Sequence, residues 1–353
     1  MIFRRSLSTF TTINPNKVVF HQPLNHSSLI LISTPSQLKR VIQRVSDEQS
    51  KSNKLNQILV ACVDTICGSR NAISELWTNK FSIINHETIG DRNERLTPKK
   101  DALSVNPVKF DKSWKNNTLH TLFDINIGGF NPKIRLANTL FANGEESTCF
   151  YVGNSSIDWF NLSSVKVIID ENIKISEKSY KNRLTEIPFE LNNPNGEYKI
   201  TSYEGNLIKS INNQSTSGYL IDNAKVMDGK KDLYFKLYDA NTSIEPWNEE
   251  LYKLVVGGLG WGEKQAFLAV DPDALNGDVG YRNVKLFYYD TQRGVPTIPE
   301  SGIVVECSEK EEGFNEASGE TVEMEGVFGM GSEEGFEVNG VWHRANGEQI
   351  VAE

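Results

Sequence analysis

The sequence predicts an α/β to α+β fold, with a parallel-type β-α-β-α-β first half and a mixed or antiparallel, strand-rich second half. Two observations support this prediction. Before residue 86, continuous apolar runs alternate with amphipathic segments, which is typical of a parallel sheet covered on both faces. After residue 118, short strand-like runs recur with turn residues between them, which favours antiparallel or mixed pairing.

The first strand and helix have the clearest pattern. The apolar run Ser28–Ser33 predicts a buried strand, and Thr34 and Pro35 directly after it are suited to the N-cap and first turn of a helix. Apolar residues then recur at i, i+3, i+4 and i+7, which predicts one buried helical face: Leu38, Val41, Ile42 and Val45.

Two further strands and a helix complete the predicted first half. Residues 57–63 form an apolar run, and residues 81–85 form another. Between them, four apolar residues are interpreted as one side of a second helix: Ala72, Ile73, Leu76 and Trp77. Polar and charged residues from 87 to 118 then predict a long loop.

Short strands are predicted throughout the remainder of the chain. Each candidate is an apolar or alternating run bounded by turn residues. They lie at 119–127, 148–152, 165–169, 197–203, 206–211, 233–237, 251–256, 265–270, 284–289 and 303–307.

The first residues have the composition of a mitochondrial transit peptide. They carry Arg4 and Arg5, are rich in Ser and Thr, and include no acid. On a helix, Phe3, Leu7 and Phe10 would form one apolar stripe. We therefore expect residues 1–17 to be a transit peptide and the protein to be mitochondrial, in the matrix.

Charge and hydropathy exclude two classes of partner. The formal net charge is -9, and residues 300–353 hold fourteen Glu against Lys310 and Arg344, which gives 2 - 14 = -12 for that segment. A nucleic-acid partner is therefore not expected. No apolar run approaches the roughly 20 residues of a membrane-spanning helix, so a soluble body without a membrane span is predicted.

No motif predicts a metal, a cofactor or a catalytic residue. The glycines of residues 257–262 lack the spacing of a dinucleotide-binding loop, and an apolar run rather than a helix follows them. The histidines lack metal-ligand spacing. The cysteines are too scattered for a disulfide framework or a structural zinc site: Cys62, Cys67, Cys149 and Cys307.

Cys307 is the thiol in the most suggestive position, at the end of an apolar strand and before a polar loop. Several glutamates surround it in the sequence, among them Glu306 and Glu309. Carboxylates would raise the pKa of the thiol, so nucleophilic catalysis is disfavoured.

Three segments resemble the FIST protein family. Residues 196–221 resemble its internal junction, where a strand ending in Ile-Thr precedes a Gly-Asn strand and a short helix. Near the end of the chain, Val305-Glu-Cys-Ser308 and Gly326-Val-Phe-Gly-Met-Gly-Ser-Glu333 resemble the C-terminal segments of the family.

The resemblance implies a FIST N-like domain at 18–211 and a FIST C-like domain at 212–353, without an F-box. It also implies a sensory or ligand-binding protein for a small metabolite, with no enzymatic activity expected. The ligand is expected where the C-terminal segments meet, at Cys307, Gly329, Gly331, Ser332 and Glu333. Two alternatives remain open: an assembly or scaffold protein with a protein partner, and an enzyme with a cleft near Cys307.

Overall fold

The computed structural model of this chain is rich in strands, which make up 56% of the described residues against 9% helix. The prediction of an α/β to α+β fold with a parallel-type first half is therefore wrong. The structure describes residues 7–50, 55–88, 122–145, 147–153, 160–169, 175, 178–187, 198–216, 232–238, 250–257, 267–270, 275, 278–290, 298–309 and 319–353.

The chain divides into two compact units, each assembled from separate stretches of sequence. Unit 1 comprises Met1–Ser179, Ile298–Phe336 and Val351–Glu353, and unit 2 comprises Tyr180–Thr297 and Glu337–Ile350. These units differ from the continuous segments 18–211 and 212–353 expected from the sequence, because the end of the chain contributes to both.

A mixed sheet forms most of unit 1. Its strands are β1 (Ser8–Ile13), β2 (Ser28–Ser33), β3 (Gln57–Cys62), β4 (Ala72–Thr78), β5 (Ser82–Thr88), β6 (Leu122–Ile127), β7 (Pro132–Arg135), β8 (Cys149–Gly153), β9 (Phe160–Ile169) and β20 (Val322–Glu325). Within the unit their order is β20-β1-β4-β2-β3-β8-β9-β6-β7, and β5 pairs with β9. The two helices of the described chain are α1 (Pro35–Gln49) and the short α2 (Leu140–Asn143).

The β2-α1-β3 segment agrees with its prediction. Strands β2 and β3 are parallel neighbours, from Ser28 opposite Gln57 to Ser33 opposite Cys62. Helix α1 starts after Thr34, with Pro35 in its first turn. Its predicted apolar face is buried through Leu38, Val41 and Val45, while Ile42 is partly buried. The helical periodicity therefore identified the face that packs on the sheet.

The second predicted helix is wrong, because its apolar residues belong to strand β4. This strand pairs antiparallel with β2 and β1, and all seven of its residues are buried. A strand covered on both faces shows no alternation, so the positions of Ala72, Ile73, Leu76 and Trp77 could be read as a helical stripe. The antiparallel insertion of β4 makes the sheet mixed.

The helix predicted for the first residues is wrong from Ser8 onward. Strand β1 occupies Ser8–Ile13 and lies between β4 and β20. Its Thr11 is buried, shares a hydrogen bond with the Ser74 hydroxyl and donates to the Val327 carbonyl. The β-branched residues of this segment suit a strand. Residues 1–6, which include Phe3, lie outside the described residues.

Another parallel pair in unit 1 joins β19 (Gly302–Cys307) and β21 (Val327–Ser332). The register runs from Gly302 opposite Val327 to Cys307 opposite Ser332. All six residues of β21 are buried, so this pair is part of the core.

Unit 2 is an antiparallel sheet, as its short strands predicted. Its strands are β11 (Leu184–Glu186), β12 (Ile200–Glu204), β13 (Leu207–Ile211), β14 (Gln214–Ser215), β15 (Leu233–Tyr238), β16 (Leu251–Gly257), β17 (Leu268–Val270) and β18 (Asn283–Tyr289). Their order is β11-β18-β15-β16-β17-β13-β12, with β14 on β13. Strand β23 (Val341–His343) also lies in this unit, and β10 (Lys178–Lys181), β22 (Phe336–Val338) and β24 (Gln349–Ala352) contain residues of both units.

Several sequence predictions fall on residues that the structure does not describe. These are most of the loop predicted at 87–118, the helix-like segment at 217–221 and the glycines at 258–262. Within the described chain, no helix combines the length and the apolar character needed to cross a membrane.

Candidate functional site

The carboxyl ends of β3, β19 and β21 meet at one place in unit 1. The Thr65 amide, in the loop after β3, donates to the Gly331 carbonyl of β21 at 3.2 Å. The Ser308 amide, after β19, donates to the Ser332 carbonyl at 2.9 Å. We call this region the Asp64 edge, defined by Asp64, Thr65, Arg70, Glu306, Ser308, Ser332 and Glu333.

Glu306 binds the loop after β3 to the end of β19. Its Oε1 accepts hydrogen bonds from Thr65 Oγ1 at 2.9 Å and from the Gly68 amide at 2.7 Å. Thr65 Oγ1 also shares a short hydrogen bond with Ser308 Oγ. Because Thr65, Glu306 and Ser308 are all buried, they form the inner layer of the Asp64 edge.

Asp64 and Glu333 lie in a more exposed outer layer. Asp64 Oδ2 accepts from the Glu333 amide at 2.9 Å and from Ser332 Oγ at 3.2 Å. Arg70 Nη2 pairs with Glu333 Oε1 at 2.7 Å and donates to the Glu309 carbonyl at 2.7 Å. The side chains of Arg70 and Glu333 are each 28% exposed, so this layer is reachable from solvent.

Burial raises the pKa of the Asp64 carboxyl. The nearby Glu333 carboxylate also raises it, whereas the Glu333 amide, the Ser332 hydroxyl and the Arg70 guanidinium lower it. Burial dominates, so the charged form of Asp64 is held at an energetic cost. A carboxyl of this kind in a partly open site is typical of functional positions.

The thiols near the Asp64 edge are protonated at neutral pH. Burial raises the pKa of Cys67, and the Glu306 carboxylate raises it further. Burial also raises the pKa of Cys62 well above its usual range, with a contribution from Asp64. Since a thiol attacks as its thiolate, these two side chains are suited to packing rather than to nucleophilic chemistry.

Gly329 and Gly331 allow the loop after β3 to pack directly on β21. A Cβ added to Gly329 would lie 2.6 Å from Cys67 Sγ, and one added to Gly331 would lie 2.6 Å from Glu306 Cγ. Both glycines belong to a buried strand, and neither is among the residues with positive φ. Close approach of neighbouring groups, rather than an unusual backbone conformation, therefore accounts for these glycines.

The structure brings together the residues that the sequence proposed for ligand binding. Cys307 and Ser332 are partners in the parallel register, and Glu333 follows at the strand end. Cys307 is only 2% exposed, and strand alternation directs it away from the face of Glu306 and Ser308. It therefore lies beside the Asp64 edge without facing it, and its binding role stays a prediction.

Five residues of the Asp64 edge were missed in the sequence: Asp64, Thr65, Arg70, Glu306 and Ser308. Asp64 and Thr65 directly follow a buried parallel strand, a position where polar residues commonly form sites. That signal was present in the run 57–65. The proximity of Arg70 to Glu333 depends on the mixed sheet topology, which the sequence did not reveal.

The start of helix α1 supports the loop from its other side. Ser36 Oγ donates to the Arg70 carbonyl at 2.7 Å, and Gln37 Nε2 donates to Asn71 Oδ1 at 2.6 Å. The first contact holds the backbone of Arg70, and the second holds the side chain of its neighbour Asn71. Across the described part of the chain, no three His, Cys, Asp or Glu side chains are arranged to hold a metal ion.

Comparison with known proteins gave no match to any family model, curated protein or solved structure.

Proposed function

We propose that this protein binds a small polar metabolite at the Asp64 edge and does not convert it. The observation that carries the proposal is the Asp64 carboxyl, whose pKa is raised by burial although it lies where three strand ends meet. Keeping a charge in such a position reduces stability, and proteins commonly accept that cost at functional sites.

The arrangement of the edge is suited to recognition of hydrogen-bonding ligands. The inner layer is fixed by Glu306, which holds both the Thr65 hydroxyl and the Gly68 amide. The outer layer offers Asp64 and the Arg70–Glu333 pair to solvent. A rigid inner layer beneath partly exposed charged groups is suited to a preorganised binding site.

A binding role is favoured over catalysis by the state of the candidate nucleophiles. The raised pKa of Cys67 keeps its thiol protonated, and the Thr65 hydroxyl donates its hydrogen to Glu306. A mitochondrial FIST-like sensory protein would fit this role. The resemblance of residues 305–308 and 326–333 supports that part of the proposal.

The binding test is differential scanning fluorimetry of the full chain against a panel of amino acids, organic acids and nucleotides. A compound that binds only the native state raises the melting temperature. We expect at least one compound to stabilise the wild type, and Glu333→Gln to weaken that stabilisation. Asp47→Asn, at the opposite end of α1, is the matched control, because it removes one carboxylate charge away from the edge.

Two results would overturn the proposed function. One is a panel in which no compound raises the melting temperature of the wild type. The other is a stabilising compound that acts equally on the wild type, on Glu333→Gln and on Asp47→Asn. Disappearance of a bound compound, with formation of a product, would instead establish the enzymatic alternative.

The mitochondrial part of the proposal has its own test. Arg4 and Arg5 supply the positive charge of the first residues, and import signals depend on such charge. We expect the Arg4→Glu and Arg5→Glu double variant, fused to a fluorescent reporter, to stay in the cytosol. Unchanged mitochondrial uptake would contradict the localisation.

A further inference from the structure

We propose that strand β20 is a docking edge for an extended, positively charged peptide segment, which would add to the sheet of unit 1 as a further strand. This inference does not depend on ligand binding at the Asp64 edge. It rests on the backbone geometry of β20, on the exposure of its side chains and on their charge.

Strand β20 is paired on one side with β1, with Phe10 opposite Glu325 and Ile13 opposite Val322. Within the described residues, no strand pairs with its other side. The Gly326 amide donates to the Thr9 carbonyl. Since hydrogen-bonded and non-hydrogen-bonded positions alternate in an antiparallel pair, the amide and carbonyl groups of Glu323 and Glu325 face outward.

The edge is exposed and acidic. The Glu323 side chain is 69% exposed, Val322 is 47% exposed, and Glu320 and Glu325 are also exposed. An added strand places its side chains directly opposite those of β20, and opposite charges stabilise such cross-strand pairs. Lys or Arg at alternate positions of the incoming strand would therefore complement Glu323 and Glu325.

The same charges disfavour a second copy of this chain as the occupant. Two β20 strands paired with each other would bring their glutamates together, and like charges across a strand pair are destabilising. A basic segment removes that repulsion. The negative charge of β20 therefore favours a basic partner and disfavours pairing of two β20 strands.

The edge is held in a strand conformation before any partner arrives. Thr321 Oγ1 donates to the Asn14 carbonyl at 2.8 Å, directly before β20. Strand β1, which supports β20, is itself paired along its other side with β4 from Ser8 to Ile13. A prearranged edge lowers the entropic cost of strand addition.

The test uses fluorescence anisotropy of a labelled peptide that alternates Lys and Thr, with the full chain as receptor. We expect the Glu323→Lys and Glu325→Lys double variant to bind about tenfold more weakly or worse, because two attractive charges become repulsive. Asp47→Lys is the matched control and should bind like the wild type, since it reverses a charge away from β20.

Peptide variants separate strand addition from simple charge attraction. A peptide with the same sequence and N-methylated backbone amides keeps its charges but loses its donors, so its binding should fall sharply. A peptide with Glu in place of Lys should not bind. Equal binding of the methylated and unmethylated peptides, or unchanged binding by the double variant, would overturn the proposal. The peptide comparison uses the folded wild-type protein, and the double variant changes only exposed side chains of β20.

Discussion

Glu306 and Gly331 lie opposite each other in the parallel pair of β19 and β21, and the absent side chain at Gly331 leaves the space that the Glu306 carboxylate occupies. This relationship explains how a buried carboxylate can reach the loop after β3. Any side chain at position 331 would compete with Glu306 and Thr65 for the same volume.

Gly331→Ala should therefore destabilise the protein. Overpacking a buried position costs about 1–3 kcal/mol, and the new Cβ would lie 2.6 Å from Glu306 Cγ. Urea unfolding of the wild type and the variant measures the loss. In a double-mutant cycle, Thr65→Ala should recover part of it, because the Thr65 side chain is among the nearest neighbours. Strictly additive effects of the two substitutions would contradict the steric explanation.

The sequence predicted local elements well and long-range pairing less well. The boundaries of β2 and the buried face of α1 follow from apolar patterns that are local in the chain. By contrast, β4 was interpreted as a helix because burial on both faces removed its alternation. The position of β1 depends on partners far away in the sequence, since Ser8 lies opposite Trp77 and Ile13 opposite Ala72, and no local pattern encodes that pairing.

For the candidate site too, the sequence predicted the local segments better than the contacts between them. The end of β19 and the glycine segment of β21 were expected to meet, and the register places Cys307 beside Ser332. Apart from Ser332 and Glu333, the side chains that line the edge were not recognised. Because side chains alternate along a strand, Glu306 and Ser308 face Thr65 and Cys307 does not. The sequence alone does not show which of the two faces of β19 is turned toward Thr65.

His21 should make stability depend on pH. A hydrogen bond from His21 to the buried Glu75 carboxylate raises the pKa of the imidazole, and the charges of Glu75 and Glu323 add to the effect. A raised pKa in the folded state gives stability that is fully present below about pH 6.5, the usual value. That stability is lost as the pH rises through the higher folded value.

The measurement is urea unfolding at several pH values for the wild type and His21→Asn. We expect the wild type to lose its advantage over the variant as the pH is raised above about 6.5. The same difference between the two proteins at all pH values would show that protonation of His21 does not contribute.

Asp64→Asn should increase stability at neutral pH. Burial raises the pKa of Asp64, so this group contributes stability below its unfolded pKa of about 4 and loses it as the pH rises through the folded value. Asn keeps an oxygen that can accept from Ser332 and Glu333 without the buried charge. We expect a higher melting temperature for the variant at pH 7 and no advantage near pH 3, whereas Asp47→Asn should change little. A variant less stable than the wild type at both pH values would contradict this account.

Removal of residues 1–17, the segment expected to be a transit peptide, should prevent unit 1 from folding. This deletion takes away β1, which pairs with β4 along six residues and with β20 along four. It also removes the buried Thr11 hydroxyl, which contacts Ser74 and the Val327 carbonyl. The unpaired strands and lost polar contacts would leave buried groups unsatisfied.

A shorter deletion provides the control. Removal of residues 1–6 leaves all of β1 in place, so this variant should keep the cooperative unfolding transition of the full chain, whereas the longer deletion should be insoluble or lack the transition. Circular dichroism during thermal unfolding distinguishes the two outcomes. If the protein without residues 1–17 unfolded like the full chain, β1 would be dispensable and cleavage after residue 17 would be compatible with the fold. If only the shorter deletion folds, any processing of the chain that preserves unit 1 must leave Ser8–Ile13 attached.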